Sequence, residues 1–169
     1  MWNKRILIGL LAAGASMGSA AGADEGNERA AVAKQLPSAK ITLQQGLTAS
    51  EARARPISGK FELDEGHFQL SVYTAQGATF QEVVVDYTTG KIAKAEPLSK
   101  AEDLAAAKKQ VAAMAKATTT LKAAVDKAEQ DSAGYRAVSV VPMLKQHHAV
   151  AMVTLVKGTQ YKSVSEPLE

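Results

Sequence analysis

The sequence contains no cysteine. That excludes a disulfide framework, thiol nucleophiles and thiolate metal sites, and it fits a bacterial periplasm, where folds can manage without disulfides. Aromatic residues make up only 5% of the chain, and its one tryptophan is Trp2, so a large aromatic ligand pocket is not advertised. Several motifs are also missing. There is no Gly-x-Ser-x-Gly elbow, no phosphate-binding glycine loop and no His-x-His or His-Glu-x-x-His spacing. Excess charge of one sign is absent too. Without Lys4 and Arg5, the 20 basic residues fall to 18 against 17 acidic ones, and no basic stripe is interleaved with aromatics. Nucleic acid is therefore not an expected partner.

What is present begins with a leader. Lys4 and Arg5 precede a short apolar run, Ile6 to Ala15, and Ala21-Gly22-Ala23 stands as a small-residue cleavage signal before Asp24. This is the pattern of a secretory signal peptide over residues 1–23, cut between Ala23 and Asp24. The run is shorter than the ~20 apolar residues a membrane span needs, and no later segment is long enough either. The product is expected to be periplasmic or secreted, with no membrane span. The 146 residues left of 169 suffice for one ordinary domain or two small ones sharing a core.

Residues 55–96 carry the clearest pattern. Phe61 and Leu63, then Phe68, Leu70 and Val72, then Val83 and Val85 alternate with mostly polar neighbours, the period of half-buried strands. Asp64-Glu65-Gly66, Ala75-Gln76-Gly77 and Thr88-Thr89-Gly90 punctuate the runs as hairpin turns. The spacing predicts an antiparallel meander. Upstream, residues 24–40 read as a helical segment and linker. Ile41 to Arg55 then reads as a helix capped by Thr42, with Leu43 and Leu47 on one face.

Residues 99–130 form the most helical stretch. Leu104, Ala107, Val111, Met114, Thr118, Leu121, Val125 and Ala128 make one apolar seam, which predicts a single long helix opened by a Ser99/Glu102 capping box. Thr118-Thr119-Thr120 argues the other way, since Thr120 could cap a second helix. Beyond it, Tyr135 to Val141 is strand-like and ends at Pro142, with Met143 to His147 as a loop. His148 to Val156 is a strand with Val150, Met152 and Thr154 on one face. Lys157-Gly158 is a turn, and Gln160 to Ser165 is the last strand. An internal echo runs through this order. Thr42-Leu43 with Leu47 matches Thr120-Leu121 with Val125, and Glu96-Pro97-Leu98 matches Glu166-Pro167-Leu168, at offsets of 78 and 70 residues.

The run from Ile41 to Lys94 resembles a PepSY domain: a helix with an Ile-Thr-Leu-like start, an antiparallel meander, and a late turn of the form Val-Asp-x-x-Thr-Gly-Lys, here Val85 to Lys91. On this resemblance one copy covers about 41–96 and a degenerate one, lacking the Asp-x-x-Thr-Gly turn, about 118–169. The family-motif turn is Asp86, Thr89 and Gly90. The resemblance implies a non-catalytic binding or inhibitory module of the cell envelope whose partner is another envelope protein, with peptidases as the family's proposed targets.

Other candidate residues weigh toward plain surface. His147 and His148 are adjacent, so a strand points them apart, and His67 lies in the other half. Glu62, Asp64 and Glu65 read as a solvated hairpin tip, since calcium needs six or more oxygen ligands. Lys100, Lys108, Lys109, Lys116, Lys122 and Lys127 read as a solvated helix face, and Met114, Met143 and Met152 as core filler. No catalytic, cofactor-binding or metal-ligating residue is nominated, and no cofactor. The expected fold is α+β: helices packed on one face of antiparallel meanders, in two related PepSY-like halves, 41–98 and 99–169. The expected function is a non-catalytic periplasmic binding module that restrains an envelope peptidase. The alternative is a structural or self-associating envelope protein.

Overall fold

The computed structural model describes residues 21–169, with side chains from residue 25 onward. The leader reading therefore lies outside the described residues up to position 20, and the expected cut at Ala23–Asp24 falls in the first turn of α1, where side chains are not described.

The elements run α1 (Ala21–Gln35), a 3-10 turn (Leu36–Ser38), α2 (Leu43–Ser50), β1 (Arg55–Asp64), β2 (His67–Gln76), β3 (Thr79–Val85), β4 (Ile92–Pro97), α3 (Ala101–Met114), α4 (Leu121–Gln130), β5 (Arg136–Lys145), β6 (His148–Lys157) and β7 (Gln160–Pro167). All the strands form one antiparallel sheet of seven, in the order β4-β3-β2-β1-β5-β6-β7. This corrects the expected fold class. The strands do not make two separate PepSY-like meanders under helices on one face; they make a single large sheet with helices on both faces. The reason is a join that alternation patterns cannot reveal. β1 and β5 pair through Gly59↔Val140 and Lys60↔Ser139 alone, a two-pair ladder that fuses the meanders edge to edge.

The faces follow from the pleat. Gly59 lies under Leu43 and Leu47 of α2, so Gly59, Phe61, Leu70, Val72, Val83 and Val85 face α2. Through the Gly59↔Val140 pair, Val140, Ala151, Val153 and Leu155 share that face, over which α4 packs. All ten of these residues are buried. Burying one such Val, Leu or Phe contributes about 1.5–3 kcal/mol. Ser58 points the other way and its Oγ donates to Gln110 Oε1 at 2.9 Å, which puts α3 on the opposite face. Tyr161, opposite Val156, also points there and its hydroxyl donates to the Arg29 carbonyl of α1 at 2.8 Å.

A regular offset links the two sides of the sheet. β1 and β5, β2 and β6, and β3 and β7 each start 81 residues apart. Bulges interrupt β1 between Pro56 and Ser58 and β5 between Ala137 and Ser139, at the same offset. Gly59 and Val140 are themselves such a pair and face each other, so a local two-fold axis passes between them. Arg55 Nη2 donates to the Met114 carbonyl at 3.1 Å, at the end of the helix before α4. Arg136, its equivalent, donates to the carbonyls of Leu36, Ala39 and Ile41, just before α2. Each side's arginine thus fastens the segment that leads into the other side's helix. The Glu-Pro-Leu pair does not follow this offset. It ends β4 in one case and β7 in the other, and among the described residues β4 has no counterpart after β7.

Three local expectations are also corrected. The seam from 104 to 128 is not one helix. It breaks after Met114, and Thr120 caps α4 by accepting from the Ala123 amide at 3.1 Å. Thr118 and Thr119 donate instead to the Leu168 carbonyl, so the break is fastened to the chain end. Ser99 caps nothing, because α3 starts after Lys100 with no side-chain cap. β5 continues through Pro142 to Lys145, and a tight turn replaces the expected loop. From the Lys145↔His148 hairpin the Pro142 nitrogen points toward β1, where the short ladder has already opened, so no bond is lost.

Candidate functional site

The sheet face that carries α3 is polar on the β1–β4 side. Alternation puts Ser58, Lys60 and Glu62 of β1, Gln69, Ser71 and Tyr73 of β2, Glu82 and Val84 of β3, and Lys94 and Glu96 of β4 on it. Lys60 Nζ and Glu62 Oε2 are 2.5 Å apart, and Lys94 and Glu96 pair at 2.8 Å. Ser71 Oγ donates to Glu82 Oε1 at 2.9 Å and accepts from Gln69 Nε2 at 2.8 Å. Asp103, in the first turn of α3, is buried beside this group.

The cluster holds three carboxyls close to a buried phenol. Burial pushes the Glu82 carboxyl above the ordinary range, against the Ser71 hydrogen bond, and the negative charge of Glu62 adds to the rise. Burial likewise raises Asp103, with Lys100 opposing. Tyr73 is only 1% exposed, and its hydroxyl and one Asp103 carboxylate oxygen have no hydrogen-bond partner among the described residues. Burial first, and then Glu62, raise the Tyr73 phenol, so it stays protonated. Chemically, the group can hold protons on carboxyls that water would strip. The hydroxyl that bonds a carboxylate here, Ser71 Oγ on Glu82, belongs to a fully buried residue.

The residues singled out in the sequence are dispersed. Asp86 Oδ1 accepts from the amides of Thr89 at 2.7 Å and Thr88 at 2.9 Å, which holds its carboxyl below the usual range. Gly90 adopts a left-handed φ of 74° in the same turn. The neighbouring Tyr87 carbonyl accepts from Lys40 and Ile41, so this turn clamps the entry to α2. Of the three acids at the first hairpin, Glu65 is exposed and Asp64 partly so, whereas Glu62 is buried against Lys60. His147 sits in a turn and accepts from Lys116 Nζ through its carbonyl, while His148 Nδ1 lies 3.1 Å from Glu169 Oε2. Among the described residues no group of three His, Cys, Asp or Glu could hold a metal ion. Lys108, Lys109, Lys116, Lys122 and Lys127 are exposed, with Lys122 paired to Asp126 and Lys127 to Asp131; Met114 is buried and Met143 and Met152 partly so.

Tyr73, Ser71, Glu82, Asp103 and Gln110 were not singled out from sequence. A signal existed in part: Ser71, Tyr73 and Ala75 alternate with Leu70, Val72 and Thr74, which marks a polar second face. That α3 would lie on this face depends on chain crossing alone. No helix among the described residues is long and apolar enough to cross a membrane. No protein-family model, curated protein or solved structure matches this chain.

Proposed function

We propose that the protein is a non-catalytic binding module, periplasmic or secreted, that engages and restrains another envelope protein. The PepSY resemblance of residues 41–96 makes a peptidase the favoured partner class. The observation that carries this reading is the polar sheet face of β2, β3 and β4, where Gln69, Glu82 and Val84 are partly exposed and Lys94 and Glu96 exposed. Its alternating charges suit a polypeptide surface, since polar complementarity selects partners and steers encounter. The leader pattern of residues 1–23 supports the location.

The test is capture from envelope extract on the chain from Asp24 onward, beside a Lys94→Glu/Glu96→Lys variant, with any peptidase recovered then assayed for activity. A peptidase held by the parent chain, slowed by it, and released by the variant supports the reading. A peptidase whose rate is unchanged by saturating protein sinks it.

A further inference from the structure

The offset of 81 residues between the two sides leaves one position of the architecture filled on one side only. β3 and β7 are equivalent, and β3 is covered on its outer edge by β4. In the β6–β7 hairpin Lys157 faces Gln160 across a two-residue turn, so the main-chain groups of 160, 162, 164 and 166 point to β6 and those of 161, 163 and 165 point outward. Their equivalents in β3 are 80, 82 and 84, and the β4 end confirms the sense, because the Leu98 amide donates to the Phe80 carbonyl. Among the described residues no strand lies beyond β7. Ser163 and Ser165 are exposed, and Val164 is partly so.

We propose that this edge pairs with β7 of a second copy of the chain, antiparallel and centred on Val164, to make a two-fold dimer with a continuous sheet. The sequence of β7 is self-complementary in that register. Ser163 meets Ser165 of the other copy on one face, where hydroxyls can bond across the strands. On the other face Val164 meets itself, and Lys162, which lies over the Tyr135 ring, stands opposite Glu166 of the other copy twice. Glu166 is buried beside Lys127 Nζ at 3.5 Å and would share its charge between the two lysines. A register centred on Ser163 would set Lys162 opposite Val164 and leave the charges unmatched. Pro167 lacks an outward amide and limits the ladder to its centre. β4 is the poorer template, because it is six residues long and bulged against β3 at Val84/Val85. This inference does not rest on the binding role above and goes beyond it.

Sedimentation equilibrium of the chain from Asp24 onward, from low to high micromolar, reads it out. Lys162→Glu makes the edge wholly acidic at these positions, and Glu166→Lys makes it wholly basic. Each variant alone should dimerise at least about tenfold more weakly, whereas a one-to-one mixture of the two should recover the dimer, since every cross-strand pair is then opposite in sign. Ser163→Pro removes an outward amide without touching the β6 ladder and should give monomer, with circular dichroism showing each variant folded. A parent chain that stays monomeric throughout the range, or folded charge variants that fail to associate when mixed, overturns the proposal.

Discussion

The two sides of the sheet share a backbone and differ in chemistry. At the face covered by α2 and α4, Gly46 of α2 lies so close to Leu70 that a Cβ there would clash with Leu70 Cδ2. The equivalent positions on the other side are Ala124 of α4 and Ala151 of β6, both buried. Space given by the helix on one side is given by the strand on the other. The opposite face diverges further. It carries Lys60, Glu62, Glu82, Lys94 and Glu96 on the β1–β4 side, but Val141, Met143, Val150 and Met152, all partly buried, on the β5–β7 side. The lesson is that strand register can be kept while the volumes and polarity laid over it change, because register depends on pleat and turns, whereas volume need only sum correctly across a contact.

The largest test of that compensation is Leu70→Ala, which should cost about 2–5 kcal/mol in chemical denaturation. Gly46→Ala should cost about 1–3 kcal/mol, since the buried Leu70 has little room to move. The double variant recreates the Ala–Ala pair of the other side and should cost less than the sum of the two by about 1 kcal/mol or more. Strict additivity would break the equivalence.

A smaller effect separates the hairpin turns. Glu65-Gly66 and Gln146-His147 both run left-handed, with φ of 51° and 82° in the first and 50° and 69° in the second. Only the first has glycine at its second position, where a left-handed residue costs a side chain roughly 1–2 kcal/mol. His147→Gly should therefore raise stability by up to about 1 kcal/mol, and Gly66→His should lower it by a similar amount. Equal melting temperatures for all three proteins would show that turn strain does not distinguish the sides.

The polar cluster belongs to one side only, and Thr154 and Ser163 stand where Tyr73 and Glu82 stand on the other. Tyr73→Phe removes a buried hydroxyl without a partner and should be neutral or stabilising by up to about 1 kcal/mol. The pH dependence has a defined sign. A carboxyl whose folded value is raised binds more protons folded than unfolded. Stability therefore falls as pH rises past the ordinary values, 3.8 for Asp103 and 4.5 for Glu82, and levels off above the raised ones. Glu82→Gln and Asp103→Asn should flatten that fall and raise stability at neutral pH while leaving it little changed in acid. A variant whose stability-versus-pH curve parallels that of the parent would remove this distinction between the sides.

Much of the local structure was legible in the chain. Thr42 and Thr120 each have an oxygen placed to take a free helix amide, and both do so. Glu65-Gly66 and Lys157-Gly158 lie at turns because few residues accept a left-handed φ. One incomplete reading and one wrong one share a cause. Val150, Met152 and Thr154 form a real face of β6, but the better buried one is Ala149, Ala151, Val153 and Leu155, because α4 rather than solvent lies over it. The helical seam from 104 to 128 is continuous in sequence, yet α3 and α4 pack on opposite faces of the sheet, so the chain must break between them at Thr118–Thr120. Periodicity records that a face is apolar and not what will cover it.

By itself, then, the sequence determined strand periods, helix caps and turn positions, since each depends on a few neighbouring residues. The tertiary structure alone decided three things: the join of two meanders through Gly59 and Val140, the placing of α3 over the polar face, and the gathering of Tyr73, Glu82 and Asp103. Each of these depends on contacts between residues far apart in the chain, whose free energy comes from surfaces that meet only once the whole sheet is assembled.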